Sequence, residues 1–280
     1  MPDAARLAVS HALISDGRFS SGKSVLSKEQ IAGLIAAAHR QGIRAVIRVD
    51  RLYGEDELDD LCAYLHFLDE CQADGLLISD LAVWMMKERE GLSLPCLYGP
   101  ETLLTSSSEI AQLISDGLEG CVISKEVPFE NACAIARNNE KHCWLRIYGP
   151  LLLSYSKRRF ISLYLNDDKE HSDGYYLQEE TRDLMMPMIE KKTGSWLYGP
   201  TLHALDRIKE IAALPLRGVI LDGVFDSDEQ VLKALKLHLQ VREGQLSCCE
   251  ALSRMPDPDG RRAYLSISQI RDTVVNKEEA

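Results

Sequence analysis

The sequence alternates short apolar runs, rich in β-branched residues, with longer stretches that have the apolar spacing of amphipathic helices. Near-continuous apolar strands separated by helices are typical of a parallel sheet covered by helices on its outer face. The pattern therefore predicts an α/β fold, either an α/β barrel or an open parallel sheet. The seven predicted strands lie at residues 11–15, 44–49, 75–79, 94–98, 120–124, 143–148 and 218–222. The predicted helices lie near residues 28–40, 55–71, 81–90, 107–116, 129–138, 202–213 and 228–242.

Seven strands leave one missing from an eight-stranded barrel. Residues 2–9 have the pattern of a helix remnant where a first strand and its helix are expected, so the barrel is incomplete at its N-terminus or another segment fills the gap. The alternation is also interrupted at about residues 160–192, where 160–165 and 174–180 have strand-like patterns. We therefore predict a barrel domain at residues 1–245 that contains a β-rich insertion, and a partly mobile C-terminal extension at 246–280.

Composition and charge exclude several classes of protein. The chain has 280 residues and a net charge of -11, which favours a soluble acidic protein and argues against DNA as a partner. An RNA contact would need a local basic patch or a partner. The apolar stretch 145–153 is interrupted by Arg146, Gly149 and Pro150, and the N-terminus lacks the pattern of a leader, so we predict a cytoplasmic protein without a membrane partner. The eight cysteines have no regular spacing, which is typical of reduced thiols.

Small polar and charged residues follow several of the predicted strands. In a barrel the C-terminal ends of the strands converge on one face, so residues far apart in sequence can line one pocket. The sequence therefore predicts a site at these strand ends. The residues are Asp16 and Arg18, Asp50 and Arg51, Ser79 and Asp80, Glu101, Ser124 and Lys125, and Asp222.

The segment 143–165 is the hardest part of the chain to explain by core packing alone. An apolar strand reaches Gly149-Pro150, and hydroxyl side chains and then three consecutive cations follow. An arginine fork can bind a phosphate or a carboxylate with two hydrogen bonds, although a run of three cations is also typical of a solvated loop. The candidate ligand-binding residues of this segment are Tyr148, Ser156, Lys157 and Arg158.

Two arginines, Arg48 and Arg146, lie inside apolar strands, where an unpaired cation is costly. We expect each to pair with an acid such as Asp50, Glu101 or Asp222. A structural ion pair and the binding of a dicarboxylate both remain open for these arginines. Glu101 follows Pro100, which favours the role of an acid at a helix N-terminus over that of a hydrogen-bonding carboxylate in the site.

No catalytic residue can be assigned from the sequence. Ser154 and Ser156 lack the Gly-x-Ser-x-Gly turn of a nucleophile, and the chain has no His-Glu-x-x-His motif for a metal. His203, which the pattern places early in a helix, is the best candidate base, but a histidine on the helix surface is the favoured interpretation. The sequence therefore predicts no metal site.

An ordered series of short motifs carries a family resemblance. The motifs are GRFS at 17–20, AHRQG at 38–42, YLHFLDECQADGLLISD at 64–80, PET at 100–102, YGPLLLSYSKRRF at 148–160, ETRDLMMPM at 180–188, GSWLYGPTLHALDRI at 194–208 and GVILDGV at 218–224. Through them the chain, from about residue 12 to 239, resembles the collagenase-like U32 peptidase family. It is most similar to the short, cysteine-poor bacterial members implicated in 5-hydroxylation of the tRNA wobble uridine, which occur beside a longer, cysteine-bearing paralogue. The resemblance implies a TIM-type barrel, tRNA as the ultimate substrate and prephenate as a co-substrate.

The chain departs from the family pattern where other members carry cysteines that hold an iron-sulfur cluster. The matching positions are Leu152 and Arg159, and Tyr148 stands where the family usually has histidine. Because a cluster needs several convergent thiolates, we expect no iron-sulfur cluster and no other cofactor here. Cys96, Cys121 and Cys143 lie in predicted strands and could converge inside a barrel, but the favoured interpretation is that they are small apolar side chains that fill the interior.

These features together favour a subunit that positions RNA or a ligand beside a cysteine-bearing U32 paralogue. The residues expected to do so are Arg48, Arg146, Lys157 and Arg158. A collagenase-like peptidase and a catalytically silent scaffold remain as alternatives.

Overall fold

The computed structural model describes residues 7, 9–101, 103–178, 185–257 and 260–264. The chain divides into two compact units. The first unit comprises residues 1–76, 82–94 and 150–201, and the second comprises 77–81, 95–149 and 202–280. The predicted division at residue 245 stays a prediction, and the predicted N-terminal remnant and mobile C-terminal end lie largely outside the described residues.

All seven predicted strands form. Strands β1 to β6 neighbour one another in chain order and β10 pairs with β6, which is the order expected in a TIM-type barrel, so the predicted α/β fold is confirmed. The pairs β1–β2, β4–β5, β5–β6 and β6–β10 are parallel. The strands are β1 His11–Ser15, β2 Arg44–Val49, β3 Gly75–Ile78, β4 Cys96–Tyr98, β5 Gly120–Val122, β6 Cys143–Ser156, β7 His171–Gln178, β8 Met185–Lys191, β9 Gly194–His203, β10 Gly218–Leu221 and β11 Arg261–Arg262.

Helices follow most of the strands, as the periodicity predicts. Several begin at a serine whose hydroxyl accepts a backbone N–H of the first turn, for example Ser27 before α1 and Ser227 before α8. The α-helices are α1 Lys28–His39, α2 Leu58–Glu70, α3 Leu81–Arg89, α4 Ser107–Ser115, α5 Phe129–Asn138, α6 Phe160–Leu165, α7 Ile208–Ala212, α8 Asp228–Arg242 and α9 Cys248–Leu252. None of the helices in the described ranges has the length and apolar character needed to span a membrane.

The predicted β-rich insertion is present in the first unit. Strand β8 pairs in antiparallel fashion with both β7 and β9. The strand predicted at residues 160–165 is wrong, because this segment forms helix α6. The buried carboxylate of Glu190, on β8, accepts the N–H groups of Ile161 at 2.6 Å and Ser162 at 3.0 Å, and so caps the helix from outside its own segment.

The helix predicted at residues 202–213 is shorter than expected, because β9 continues to His203. Leu202 and His203 pair with Arg261 and Arg262 of β11, and this pairing keeps the chain extended. Helix α7 therefore begins only at Ile208. His203 is buried at the end of a strand, so its assignment to a helix surface is wrong.

Candidate functional site

The eight candidate residues are divided equally between the two units, and each unit is described by itself. The single pocket predicted to contain all of them stays a prediction. Arg48, Ser156, Lys157 and Arg158 belong to the first unit, and Glu101, Arg146, Tyr148 and Asp222 belong to the second.

Four charged side chains of the second unit, three of them buried and Glu101 largely so, form a network, here called the charge quartet: Glu101, Lys125, Arg146 and Asp222. Glu101 follows β4, Lys125 follows β5, Arg146 lies in β6 and Asp222 follows β10. Arg146 Nη2 lies 2.5 Å from Glu101 Oε1, and Lys125 Nζ lies 2.8 Å from Glu101 Oε2. Arg146 Nη1 pairs with the carboxylate of Asp222. Two cations and two anions therefore compensate one another where strand ends meet.

The surroundings of the quartet keep Glu101 ionised. Burial opposes the charged carboxylate, but Arg146 and Lys125 lower the pKa of Glu101 below its usual value. Burial also lowers the pKa of Lys125, and Glu101 opposes that shift. The Tyr264 hydroxyl, whose pKa burial raises, accepts the backbone N–H of Arg146 at 3.2 Å. The predicted pairing of Arg146 with Glu101 and Asp222 is thus confirmed.

The helix-start interpretation of Glu101 is wrong. Helix α4 begins at Ser107 and is capped by Ser106, five residues beyond Glu101. Glu101 has φ +69°, in the left-handed region, and its side chain is turned to Arg146 and Lys125. Glu101 instead has the alternative role, that of a hydrogen-bonding carboxylate at the strand ends.

A backbone irregularity places Asp222 beside Arg146. The pairing of β10 with β6 shifts register between Ile220, which faces Arg146, and Leu221, which faces Tyr148. Gly149 follows with φ +133°, and a Cβ built there would lie 2.6 Å from the backbone oxygen of Asp222. Only glycine allows this close approach without displacing the strand end.

Tyr148 is held by a second polar group of the same unit. Its buried hydroxyl donates to Asp226 Oδ2 at 2.7 Å, and its ring meets the imidazole of His238 edge-on at 6.4 Å between centroids. His238 Nδ1 donates to the Ala234 carbonyl at 2.8 Å, and burial lowers the pKa of His238 to about 4, so the ring is neutral at neutral pH. Sequence reasoning missed Asp226 and His238, since neither lies in a recognisable motif.

Acid is expected to destabilise the protein through His238. The pKa of this imidazole is about 4 in the folded chain against an ordinary 6.5, so below pH 6.5 the unfolded chain binds a proton that the folded chain does not. The free energy of unfolding should be unaffected by this group above that pH and should fall by about 3 kcal/mol as the pH drops toward 4. Urea denaturation across this range should show a shallower pH dependence for His238→Phe than for the natural chain. His142→Phe, at a partly exposed histidine, is the control, and equal slopes for all three proteins would contradict the prediction.

In the first unit Arg48 pairs with Asp50, as the sequence predicts. Arg48 Nη2 lies 2.5 Å from Asp50 Oδ2, and both side chains are buried. Ser21 joins the pair, because its N–H donates to Asp50 Oδ1 at 2.8 Å and its hydroxyl accepts from Arg48 Nη2 at 2.9 Å. The ion pair thus anchors residues 17–22, the loop after β1.

Lys191 also holds the 17–22 loop. Its buried ammonium donates to the carbonyls of Gly17 at 3.1 Å, Ser20 at 3.0 Å and Gly22, and it lies 4.9 Å from the centre of the Trp196 ring. Burial lowers the pKa of Lys191 to about 8. No sequence signal links this lysine to a loop 169 or more residues away.

The three consecutive cations have different environments. Lys157 Nζ donates to Glu57 Oε2 at 2.5 Å, and Arg51 pairs with the other oxygen of Glu57 at 2.6 Å. Although burial opposes ionisation, hydrogen bonds from Lys157, the Gly54 N–H and Arg51 lower the pKa of Glu57 to about 2. Arg159 pairs with Asp168.

Arg158 presents its side chain to solvent, and no ion pair involves it among the residues that the structure describes. Its backbone is nevertheless fixed. The Arg158 N–H donates to Ser156 Oγ at 3.1 Å, and the Arg158 carbonyl accepts from Ser195 Oγ at 2.9 Å. Lys157 and Arg158 are therefore the exposed cations of the candidate set.

Three cysteines of the second unit are buried as thiols, and the expectation that the chain holds no iron-sulfur cluster stays a prediction. Cys96, Cys121 and Cys143 are buried in strands of the second unit, and Cys121 faces Cys143 across β5 and β6. Burial raises the pKa of Cys121 to about 12 and of Cys143 to about 11, which keeps both thiols protonated. Within the described ranges these three are not part of any group of close metal-binding side chains.

Comparisons with known proteins agree with the motif series. A family model described as peptidase family U32 matches residues 16–248. A Bacillus subtilis (strain 168) protein named tRNA hydroxylation protein P2 is 23% identical over 221 residues, which cover 76% of this chain and 72% of that protein.

Solved structures with a similar fold add little to the identification of the family. A U32 peptidase is 11% identical with a TM-score of 0.44, and the match covers 53% of this chain and 65% of that one. A chitinase from Rhizomucor miehei is 14% identical with a TM-score of 0.47, covering 84% of this chain and 95% of that one. The assignment rests on the sequence match, which spans well over half of the residues: the chain belongs to peptidase family U32.

Proposed function

We propose that this chain acts in tRNA hydroxylation, at position 5 of the wobble uridine, as a subunit that positions RNA beside a cysteine-bearing U32 paralogue. The observation that carries the proposal is the similarity to the Bacillus subtilis protein named for tRNA hydroxylation, which extends over 76% of the chain. The absence of cysteine at Leu152 and Arg159 supports a division of labour in which the paralogue supplies the oxidation chemistry.

The segment that follows β6 offers the features needed to contact RNA. Lys157 and Arg158 present exposed cations for phosphates. Phe160 and Tyr164, three and seven residues after Lys157, are 43% and 89% exposed and offer ring faces on which bases can stack. A local patch of this kind is required because the whole chain has a net charge of -11.

Arg48 and Arg146 have a different role in this proposal from the one their sequence suggested. Both guanidinium groups are buried and already hold carboxylates, so they support the strand ends. A dicarboxylate co-substrate such as prephenate would have to displace Glu101 or Asp222 to reach Arg146. Neither buried arginine is therefore assigned a prephenate contact, and Arg158 is assigned to an RNA phosphate.

Deletion of the gene for this chain is expected to remove 5-hydroxylation from the wobble uridine. The measurement is mass spectrometry of nucleosides from digested tRNA, with the natural chain restored on a plasmid as control. Unchanged hydroxylation in the deletion strain would contradict the proposed function. Release of peptides from denatured collagen by the purified chain would instead favour the peptidase alternative.

The double variant Lys157→Ala, Arg158→Ala is expected to bind tRNA more weakly than the natural chain. Removal of two phosphate contacts should also reduce the slope of log affinity against log salt by about 1.5. Filter binding or fluorescence anisotropy at several salt concentrations measures both effects. The control is Arg137→Ala, Lys209→Ala, which removes two exposed cations from the second unit. Equal losses in the two double variants would show that net charge, and not this segment, determines RNA binding.

A further inference from the structure

Three side chains of the first unit that are of types able to bind a metal ion lie close together: Cys62, His66 and Glu90. One ligand atom from each lies within 4.8 Å of the other two. Cys62 and His66 are four residues apart on α2, so they share one face of that helix. Glu90 follows directly after α3, and it reaches the same point from a second helix.

The distances between the three ligand atoms are close to those found around a bound zinc ion. Ligand atoms bound tetrahedrally at about 2.0–2.3 Å from zinc lie roughly 3–4 Å from one another. His66 Nε2 and Glu90 Oε2 are already 3.4 Å apart. His66 is exposed and the other two residues are half-buried, so small side-chain rotations can close the remaining gap.

The alternative, a simple surface ion pair, explains less of the arrangement. A distance of 3.4 Å is long for a hydrogen bond between imidazole and carboxylate. Arg89 Nε donates to the other carboxylate oxygen, Oε1, at 3.0 Å, which leaves Oε2 turned toward His66. An ion pair also gives no reason for the Cys62 thiol to lie at the same point.

We propose that Cys62 Sγ, His66 Nε2 and Glu90 Oε2 bind one Zn²⁺ ion, with water or a partner's side chain in the fourth position. On binding, the S–H proton is released to solvent and a sulfur–zinc bond forms. One thiolate and one carboxylate then balance the two positive charges of the ion. The metal would link α2 to the end of α3. The sequence predicted no metal because the third ligand lies 24 residues from His66.

The test is titration of the metal-free, full-length chain with Co²⁺, which replaces zinc and gives a visible spectrum. We expect one equivalent to produce a thiolate-to-cobalt charge-transfer band together with the absorption of a tetrahedral site, and Zn²⁺ to abolish both. Cys62→Ser should lose the charge-transfer band. Its Zn²⁺ affinity, measured by competition with a chromophoric chelator, should fall by more than about tenfold. Loss of a residue that only hydrogen-bonds to a metal ligand already costs about tenfold in affinity.

The matched control is Cys71→Ser, which changes a half-buried cysteine at the end of the same helix. It should keep both the spectrum and the affinity. His66→Gln is the second test variant, and circular dichroism establishes that each variant is folded. The proposal is overturned if the natural chain shows no thiolate band with one equivalent of Co²⁺, if Cys62→Ser binds Zn²⁺ as tightly as the natural chain, or if Cys71→Ser loses the band.

Discussion

Replacement of Arg146 by methionine is expected to lower the free energy of unfolding by about 3–5 kcal/mol, because it leaves two buried carboxylates without their shared cation. Glu101 would keep only Lys125 among its ion-pair partners in the quartet, and Asp222 would lose Arg146. Urea denaturation at neutral pH, followed by circular dichroism and tryptophan fluorescence, measures the change.

Two further variants separate loss of charge pairing from loss of packing at Arg146. Arg137→Met removes an exposed arginine from α5 and should change the free energy of unfolding by less than about 0.5 kcal/mol. The double variant Arg146→Met, Asp222→Asn removes the cation together with the carboxylate that has lost it, while Glu101 keeps Lys125, and it should recover a large part of the loss. If Arg146→Met alone is as stable as the natural chain, the charge quartet does not stabilise the fold as described.

Gly149→Ala is expected to have the second large effect. The backbone conformation at φ +133° alone costs an L-residue about 1–3 kcal/mol. The new Cβ would also lie 2.6 Å from the Asp222 backbone oxygen, so the strand end that carries Asp222 must move away from Arg146. We therefore expect a total loss of more than about 3 kcal/mol in the same denaturation experiment.

Gly117→Ala is the matched control for Gly149→Ala. Gly117 belongs to the same unit and has φ +114°, but a Cβ there would have no neighbour within 4 Å. Gly117→Ala should therefore lower the free energy of unfolding only by the about 1–3 kcal/mol that the backbone conformation costs an L-residue. If the two alanine variants are equally destabilised, the close approach of Asp222 to Gly149 contributes nothing.

The strands and most helices could be predicted because their signal is local. Apolar runs and helical spacing are set within a few residues, and all seven predicted strands formed. The pairing of Arg48 and Arg146 with acids also followed from the sequence, since a cation inside an apolar strand requires a partner. The sequence pattern did not predict which acid pairs with which arginine, because that depends on which strands are neighbours.

The errors occur where a distant segment determines local structure. Residues 160–165 have an apolar pattern without a clear period. They form a helix whose first N–H groups are accepted by the carboxylate of Glu190 on β8. His203 remains in a strand because β11 pairs with it, and Glu101 turns from the helix start toward Arg146. None of these interactions lies within the sequence window that a periodicity argument uses.

The position of Lys191 has a consequence for how this chain could be shortened or recombined. The carbonyl oxygens of Gly17, Ser20 and Gly22 converge on a single ammonium group, much as carbonyl oxygens converge on a bound cation. Excision of the β-rich insertion would therefore leave the first turn after β1 with three carbonyl dipoles facing one another around an empty centre. The insertion is thus an integral part of the first unit and cannot be treated as a removable module.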